Sequence, residues 1–287
     1  MALIPAAGSI LDVKVFGSIA LGFSNTARMP VLFLGHGSPM NAIEENEFVR
    51  GFRTVASEIA SPQAILCISA HWETKGTFVT AMDHPRTIQD FGGFPQALFD
   101  VQYPAPGSAL LAQTTKEMVT ATEVGMDHQW GLDHGAWSVI KQMYPKANVP
   151  VVQLSLDYTK PPQYHYDLAV QLAALRSKGI LIIGSGNMIH NLGLVAWDKL
   201  NEKEFGYDWA LEAQASMKKF IHQKNHQSLI NYNKHGRAFE LSIPTPEHYL
   251  PLLYILALQD KDEQPQLFND KAIGGSLTMT SVRIDKV

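Results

Sequence analysis

The fold is decided by the stretch VLFLGHGS, which covers residues 31–38 of the chain. Four consecutive apolar residues that end in a glycine predict a short strand buried on both faces, as in a parallel sheet. Two later runs, residues 65–69 and 180–183, have the same apolar character. Because segments with helical spacing separate these runs, the pattern predicts an α/β domain with a largely parallel sheet.

Further segments continue this alternation of helices and strands. Apolar residues at helical spacing predict helices over residues 44–60, 108–119, 135–143, 168–175, 209–222 and 252–258. Strands are predicted over residues 77–82, 151–156 and 277–284, the last of which we expect to be antiparallel. Residues 90–106 are rich in Gly, Pro and aromatic residues, which predicts a long loop. We therefore expect three layers, α/β/α, around a mostly parallel or mixed central sheet.

The composition is that of a folded domain without a basic surface. Of 287 residues, 46% are hydrophobic and 17% are charged, and the net charge is -4, so we expect neither disorder nor nucleic-acid binding. A single cysteine, Cys67, excludes an internal disulfide framework and a cysteine-rich zinc site. No apolar run reaches the roughly 18 residues of a membrane span. We expect no membrane partner and a cytoplasmic location, and the sequence predicts no oligomeric state.

The first 28 residues differ from the rest of the chain. Residues 9–23 are fairly apolar, but Asp12 and Lys14 interrupt them and no basic segment precedes them, unlike in a secretion signal. We interpret residues 1–28 as an N-terminal extension or leader and residues 29–287 as a single domain.

Three of the eleven histidines closely follow predicted strands. His36 follows the first apolar run, His71 follows the second, and His190 follows the third after a Gly-Ser-Gly turn. Residues just past the carboxyl ends of parallel strands line one crevice, where ligands bind. Imidazole is the commonest metal ligand near neutral pH, so the three together predict a metal site, although one such histidine alone is more often structural.

Two further histidines have distinctive surroundings in the sequence. His248 lies between Pro246 and Pro251 at the entrance to an apolar helix, so its backbone is stiff, as suits a metal ligand. His134 lies at a loop-to-helix junction beside Asp133, and it is either a proton carrier near the metal or an ordinary loop residue. The other histidines lie in polar or helical-surface contexts and are expected to be solvated: His84, His128, His165, His222, His226 and His235.

Six segments, taken in order, resemble those of the DOPA 4,5-dioxygenase group, which belongs to the class III extradiol ring-cleaving dioxygenases. They are GHGSP at 35–39, SAHW at 69–72, DFGGFP at 90–95, DHG at 133–135, NMIHN at 187–191 and TPEHYLP at 245–251. The resemblance runs from about residue 29 to residue 284, and it is carried by the ordered set rather than by one motif.

The resemblance implies a non-haem divalent metal held by His36, His71 and His248. It also implies His190 and His134 as acid–base residues near the metal, and we assign the role of base to His190 and that of donor toward oxygen to His134. His190 is in addition a candidate fourth ligand of a resting metal. The implied substrates are a catechol such as DOPA and O2.

The identity of the metal is left open by the third ligand. More distant class III enzymes complete a site of two histidines and one carboxylate, whereas here the third position is His248, with Glu247 adjacent. An all-histidine site suits Zn²⁺ as well as Fe²⁺. Because Zn²⁺ has no redox chemistry, we expect Fe²⁺ for turnover and regard Zn²⁺ as suited to the resting protein.

Two other classes of protein use similar residues. A zinc hydrolase would use the same ligands to activate water, and a class II chelatase also has a Gly-His-Gly-Ser turn after its first strand. The His71-Trp72 and Glu247-His248 pairs count against the chelatase. Phe91 and Phe94 are candidates for a lid over the substrate, with an ordinary packed loop as the alternative.

Overall fold

The computed structural model describes residues 22–200, 202 and 204–286. In this part of the chain the strands are β1 (Val31–Gly35), β2 (Ala64–Ser69), β3 (Glu73–Thr74), β4 (Thr77–Thr80), β5 (Val124–Asp127), β6 (Val151–Gln153), β7 (Leu156–Asp157), β8 (Ile180–Gly186), β9 (Gln264–Phe268), β10 (Ala272–Ile273), β11 (Leu277–Thr278) and β12 (Ser281–Asp285). The α-helices are α1 (Glu47–Ser57), α2 (Gln96–Phe99), α3 (Ala109–Met118), α4 (His134–Met143), α5 (Pro162–Val170), α6 (Asp208–His222), α7 (His226–Ile230), α8 (Arg237–Ser242) and α9 (Leu250–Ala257). Short 3₁₀ helices span Pro39–Ala42, Ala173–Lys178, Leu192–Leu194, Trp197–Lys199 and Tyr232–Lys234. Within these described residues, no helix has the length and apolar character needed to cross a bilayer.

A six-stranded sheet forms the centre of the fold, in the order β6-β2-β8-β1-β12-β9. The first four strands run parallel, whereas β12 is antiparallel to both of its neighbours. The predicted α/β class with a mixed central sheet is confirmed, as is the antiparallel direction of the closing strand. Since β8 lies between β1 and β2, the segments that follow these three strands start from adjacent strand ends.

Alternate residues of β1 point into two different hydrophobic cores. Val31 and Phe33 belong to one cluster, to which α5, α6 and α9 contribute, and Leu32 and Leu34 belong to the other, to which α1 and α4 contribute. All four side chains are fully buried. Helices on both faces of the sheet give the three predicted layers, and they explain why this strand is an uninterrupted apolar run.

Several predicted elements are divided or shorter in the structure. Residues 151–156 form β6 in the central sheet and then β7, which pairs with β3 outside it. Residues 277–284 form β11, which pairs with β10, and most of β12. The strand predicted over 77–82 is β4, which pairs with β5 instead of with the central sheet. An apolar run does not show where along it the pairing partner changes, so these boundaries were not predictable.

Edge strand β9 and the single-turn helix α2 are among the elements that the sequence pattern did not predict. Gln264 and Gln266 are exposed and Pro265 lies between them, a composition that argues against a central strand. The structure places this segment at the edge of the sheet, where a proline is tolerated.

The end of the predicted leader packs against the domain. Phe23 is buried and joins the core cluster formed by α5, α6 and α9. The backbone of Ser24 makes two hydrogen bonds with the side chain of Gln63, and Arg28 forms an ion pair with the buried Glu263. The earlier part of the predicted leader, residues 1–21, lies outside the described residues.

Candidate metal centre

Two of the candidate ligands lie at the ends of strands that flank β8. His36 directly follows β1, and His71 lies just beyond the end of β2. The backbone N–H of His36 donates to the carbonyl oxygen of Gly186 at 3.0 Å, and that of Ala70 donates to Ser185 at 2.9 Å. The sheet's own hydrogen bonds therefore continue to the residues that carry these imidazoles.

The third candidate, His248, is held against the end of β8 by its backbone. The N–H of Asn187 donates to the carbonyl oxygen of His248 at 2.8 Å. Gly186 permits this approach, because a Cβ atom on it would lie 2.1 Å from that oxygen. Pro251 lies in the first turn of α9, where a helix does not need its missing N–H. A loop that crosses the tip of a strand thus presents His248.

The three side chains converge. His36, His71 and His248 each bring a ring nitrogen to within 4.8 Å of the other two. The Nε2 atoms of His36 and His71 are 3.4 Å apart. Two nitrogens that bind a zinc-sized ion at about 2.1 Å in tetrahedral geometry lie about 3.4 Å from each other. The donor set and its spacing therefore fit one small divalent metal ion.

Hydrogen bonds at Nδ1 determine which nitrogen is free. Nδ1 of His36 is 3.0 Å from Oγ of Ser185, whose own proton is donated to the carbonyl oxygen of Gly135, so Nδ1 carries a hydrogen. Nδ1 of His248 donates to the carboxylate of Glu247 at 2.9 Å. A neutral imidazole with its hydrogen on Nδ1 has its lone pair on Nε2. Metal-binding histidines usually donate a hydrogen bond from the ring nitrogen that does not bind the metal, as Nδ1 does here.

Burial keeps these imidazoles uncharged. It lowers the pKa of His36 and of His248 well below the ordinary value and that of His71 to about 3, and the neighbouring histidines lower these pKa values further. Histidine binds a metal ion only in its neutral form. At neutral pH the cluster is therefore ready for a cation without first losing protons.

The two candidate acid–base residues lie next to different ligands. The ring centroid of His134 is 3.8 Å from that of His71, and the ring of His190 stacks on that of His248 at 3.5 Å. Ligand atoms of His190, Glu247 and His248 also lie within 4.8 Å of one another. Burial lowers the pKa of His190 to about 4, so its ring is neutral at physiological pH and has a lone pair on one nitrogen.

Asp133 fixes the start of α4, the helix that begins with His134. Its buried carboxylate caps this helix by accepting a hydrogen bond from the backbone N–H of Ala136 at 3.0 Å. It also accepts hydrogen bonds from Ser69 at 2.6 Å and from Gln153 at 2.7 Å. These contacts tie the first turn of α4 to the ends of β2 and β6, which brings His134 to the metal centre.

Comparison with known proteins decides the family. Residues 29–279 match the family described as the catalytic LigB subunit of aromatic ring-opening dioxygenase. The chain belongs to the LigB family. The predicted class, an extradiol ring-opening dioxygenase, is confirmed, and this membership decides against the hydrolase and the chelatase. LigB dioxygenases depend on a metal, and all five histidines of the cluster lie within the matched region.

Relatives of this LigB chain match it over nearly its whole length. It is 46% identical over 264 residues to "4,5-DOPA dioxygenase extradiol" of Escherichia coli strain K12. That alignment covers 91% of this chain and 96% of the relative. It is 33% identical over 259 residues to the protein of the same name from Beta vulgaris, in an alignment that covers 88% of this chain and 94% of that relative. The crystal structure of an uncharacterised protein from Escherichia coli K12 aligns with a TM-score of 0.76 and 41% identity, over 90% of this chain and 100% of that one.

The candidate lid of the LigB chain contacts one of the acid–base candidates. The rings of Phe91 and His134 meet edge to face, with centroids 5.5 Å apart, and Phe94 packs against Phe91 at the same distance. Gly92 and Gly93, between the two aromatic residues, are exposed and have open space around them. Phe91 therefore links this loop to the histidine cluster.

One histidine that was predicted to be solvated is buried, so that prediction was wrong. His165 has no exposed surface, and its Nδ1 lies 3.0 Å from the hydroxyl of Tyr254 on α9. Polar neighbours in the sequence suggested a surface position, but α5 packs its His165 face against α9. Among the others, His84, His128 and His222 are exposed as predicted, whereas His226 and His235 are half-buried.

The partners that orient the histidines were not predicted from the sequence. Asp90 lies 44 positions from His134, whose Nδ1 it contacts, and Ser185 lies 149 positions from His36. No local pattern reveals contacts at such separations. Asp90 belongs to a family-like segment but received no role, and Glu247 was noted only as a neighbour of His248.

Proposed function

We propose that this LigB chain is a metal-dependent extradiol dioxygenase that opens the ring of a catechol with O2, and that DOPA, cleaved at the 4,5 bond, belongs to its substrate class. The observation that carries the proposal is the convergence of His36, His71 and His248 within 4.8 Å, beside two further imidazoles. DOPA is proposed because relatives at 46% and 33% identity are named for it.

His36, His71 and His248 are the proposed metal ligands, each through Nε2. Their neutral state and the acceptors on Nδ1 of His36 and His248 support this role. We propose Fe²⁺ for turnover and Zn²⁺ for the resting protein, because a redox-active metal supplies the electron exchange with O2 that Zn²⁺ lacks.

His190 and His134 divide the proton transfers. A catechol must lose protons before both of its oxygens can act as donors, and the proposed acceptor of one is His190, which burial keeps neutral by lowering its pKa to about 4. His134 returns a proton toward the oxygen atoms during ring opening. A fourth-ligand role for His190 in the resting zinc protein remains part of the proposal.

Three smaller proposals complete this function. The loop that carries Phe91 and Phe94 closes over the substrate ring, as its contact with His134 suggests. Residues 29–287 act as one catalytic domain. The enzyme works in the cytoplasm with small-molecule substrates and without nucleic-acid or membrane partners.

A metal titration scored by oxygen uptake tests the proposed function. The full chain is stripped of metal, reconstituted with Fe²⁺ or with Zn²⁺, and supplied with DOPA. We expect oxygen uptake that matches the ring-opened product with Fe²⁺ and none with Zn²⁺. The same assay on His222→Ala, an exposed histidine at the end of α6, controls for unspecific metal effects. Oxygen-consuming cleavage by rigorously iron-free zinc protein would contradict the proposal.

A further inference from the structure

The carboxylate of Asp90 holds two groups of a single residue. Oδ1 accepts a hydrogen bond from the backbone N–H of His134 at 2.8 Å, and Oδ2 accepts one from Nδ1 of its ring at 2.9 Å. The same Oδ2 lies 3.5 Å from Nδ1 of His71, which is too long for a hydrogen bond of normal strength. Asp90 therefore acts mainly on His134.

These two bonds determine the tautomer of His134. An ionised carboxylate accepts hydrogen bonds and donates none. Both oxygens of the Asp90 carboxylate face N–H groups of His134, one on the backbone and one on the ring. Nδ1 of His134 therefore keeps its hydrogen, and the lone pair of the ring is on Nε2.

The bonds also determine the orientation of the ring. His134 is the first residue of α4, where a backbone N–H has no partner within the helix, and Asp90 supplies one. The ring contacts His71, with centroids 3.8 Å apart, and makes an edge-to-face contact with Phe91, with centroids 5.5 Å apart. Rotation of the ring would break the Nδ1 contact to Asp90, so the carboxylate keeps the ring in one pose.

We propose that Asp90 is a positioning residue for ring opening, which keeps Nε2 of His134 as the nitrogen that exchanges a proton with the reacting groups. The inference rests on the proposed function, since it requires His134 to be the proton donor. It adds a residue that lies outside the metal ligands and acts through another side chain. The site thus contains a carboxylate–imidazole pair beside the metal ligands.

Asp90→Asn is the sharpest substitution for a test. The amide has the shape of the carboxylate, but its NH2 group facing Nδ1 forces that nitrogen to accept, which moves the ring hydrogen to Nε2. We expect kcat to fall at least about a hundredfold, as for loss of a general acid, with KM within a few-fold of wild type and full iron content. The control is Asp100→Asn, ten positions later, because Asp100 is exposed and its carboxylate contacts only Gln96 of α2 in the described structure.

A double-mutant cycle with His134→Ala separates positioning from a general structural role. If Asp90 acts through His134, Asp90→Asn should slow the His134→Ala enzyme no further. Additive losses, or loss of iron from Asp90→Asn alone, would overturn the proposal. A slow His134→Ala enzyme beside a full-speed Asp90→Asn enzyme would overturn it too, while leaving the proposed function intact. A wild-type rate for His134→Ala would instead reject the proposed role of His134 and this inference with it.

Discussion

The Nε2 atoms of His36 and His71 lie 3.4 Å apart, although the strands that carry these residues do not pair with each other. β8 lies between those strands and accepts backbone hydrogen bonds from His36 and from Ala70. One strand therefore sets the separation of two imidazoles through backbone contacts, which do not depend on the metal. The geometry of the centre is largely built before an ion arrives.

Because backbone contacts build the centre, removal of a ligand should cost metal and not fold. His36→Ala, His71→Ala and His248→Ala are each expected to lose tight metal binding while circular dichroism stays unchanged. Elemental analysis of the purified variants checks this, with His222→Ala as the exposed control. Full metal content in any of the three variants would remove that residue from the ligand set.

The acid–base residues should behave differently from the ligands. His190→Ala and His134→Ala are expected to retain iron and to turn over at least roughly a hundredfold more slowly. His190→Ala should weaken zinc more than iron, because iron must keep positions open for catechol and oxygen. Metal content and single-turnover rate are measured on the same samples. Equal loss of both metals from His190→Ala would make His190 an ordinary ligand and leave His134 as the only proton carrier.

A change that touches no ligand should also weaken the metal centre. In Gly186→Ala the new Cβ would lie 2.1 Å from the carbonyl oxygen of His248, so the backbone of the third ligand must shift. We expect a metal affinity at least roughly tenfold lower, comparable to loss of an outer partner of a ligand. Gly193→Ala is the matched control, since its Cβ would meet only Asn191, at 3.4 Å. Equal metal affinities of the two variants would contradict the argument.

Acid should destabilise the protein through buried His165. Burial lowers its pKa to about 4 in the folded state, whereas the unfolded chain has an ordinary value near ~6.5. As the pH falls below that ordinary value, His165 is protonated in the unfolded state but stays neutral in the folded state until about pH 4. The free energy of unfolding therefore decreases across this pH range. Between pH 7 and pH 5 this contribution is about 2 kcal/mol.

Urea unfolding of His165→Gln at both pH values isolates this effect. The variant should lose about 2 kcal/mol less of its unfolding free energy on acidification than the wild type does. The other buried histidines contribute equally to both proteins and cancel in the comparison. His222→Gln, which changes an exposed histidine, should follow the wild type. An unaltered pH dependence in His165→Gln would show that His165 takes up its proton in the folded state as well.

The N-terminal segment should contribute to stability and not to catalysis. A chain that begins at Met29 lacks the buried Phe23, and burial of such a side chain stabilises by about 1.5–3 kcal/mol. A chain that begins at Gly22 keeps it and is the matched control. We expect the Met29 chain to unfold at lower urea concentration, with unchanged turnover per bound metal. A large loss of turnover in that chain alone would place the segment within the catalytic machinery.

The sequence predicted the parts of the site that follow from strand ends. Buried strands appear as short apolar runs, and the residues after β1 and β2 could be assigned to one edge of the sheet without knowledge of the strand order. His248 was found from its prolines and from the family resemblance. The roles of these residues stay predictions until the variants are measured.

The rest could not be read from the sequence because it depends on contacts between distant positions. Asp90 meets His134 across 44 positions, and His165 is buried because α5 packs on α9. Strand pairing also depends on distant positions, since β9 is a strand because it pairs with β12 at the edge of the sheet. Periodicity describes which face of an element is apolar, and it does not describe which neighbour covers that face.

The close approach at Gly186 has a consequence for protein design. Two of the three imidazoles follow the ends of strands, and the third, His248, lies on a loop that crosses the end of β8. Grafting the three histidines onto another parallel sheet would therefore transfer an incomplete centre. The recipient sheet must also have a glycine at the strand end that the loop crosses. Any side chain there would push the loop away from the sheet and move the third imidazole out of reach of the metal ion. A transferable unit of this metal centre therefore includes Gly186 as well as the three histidines.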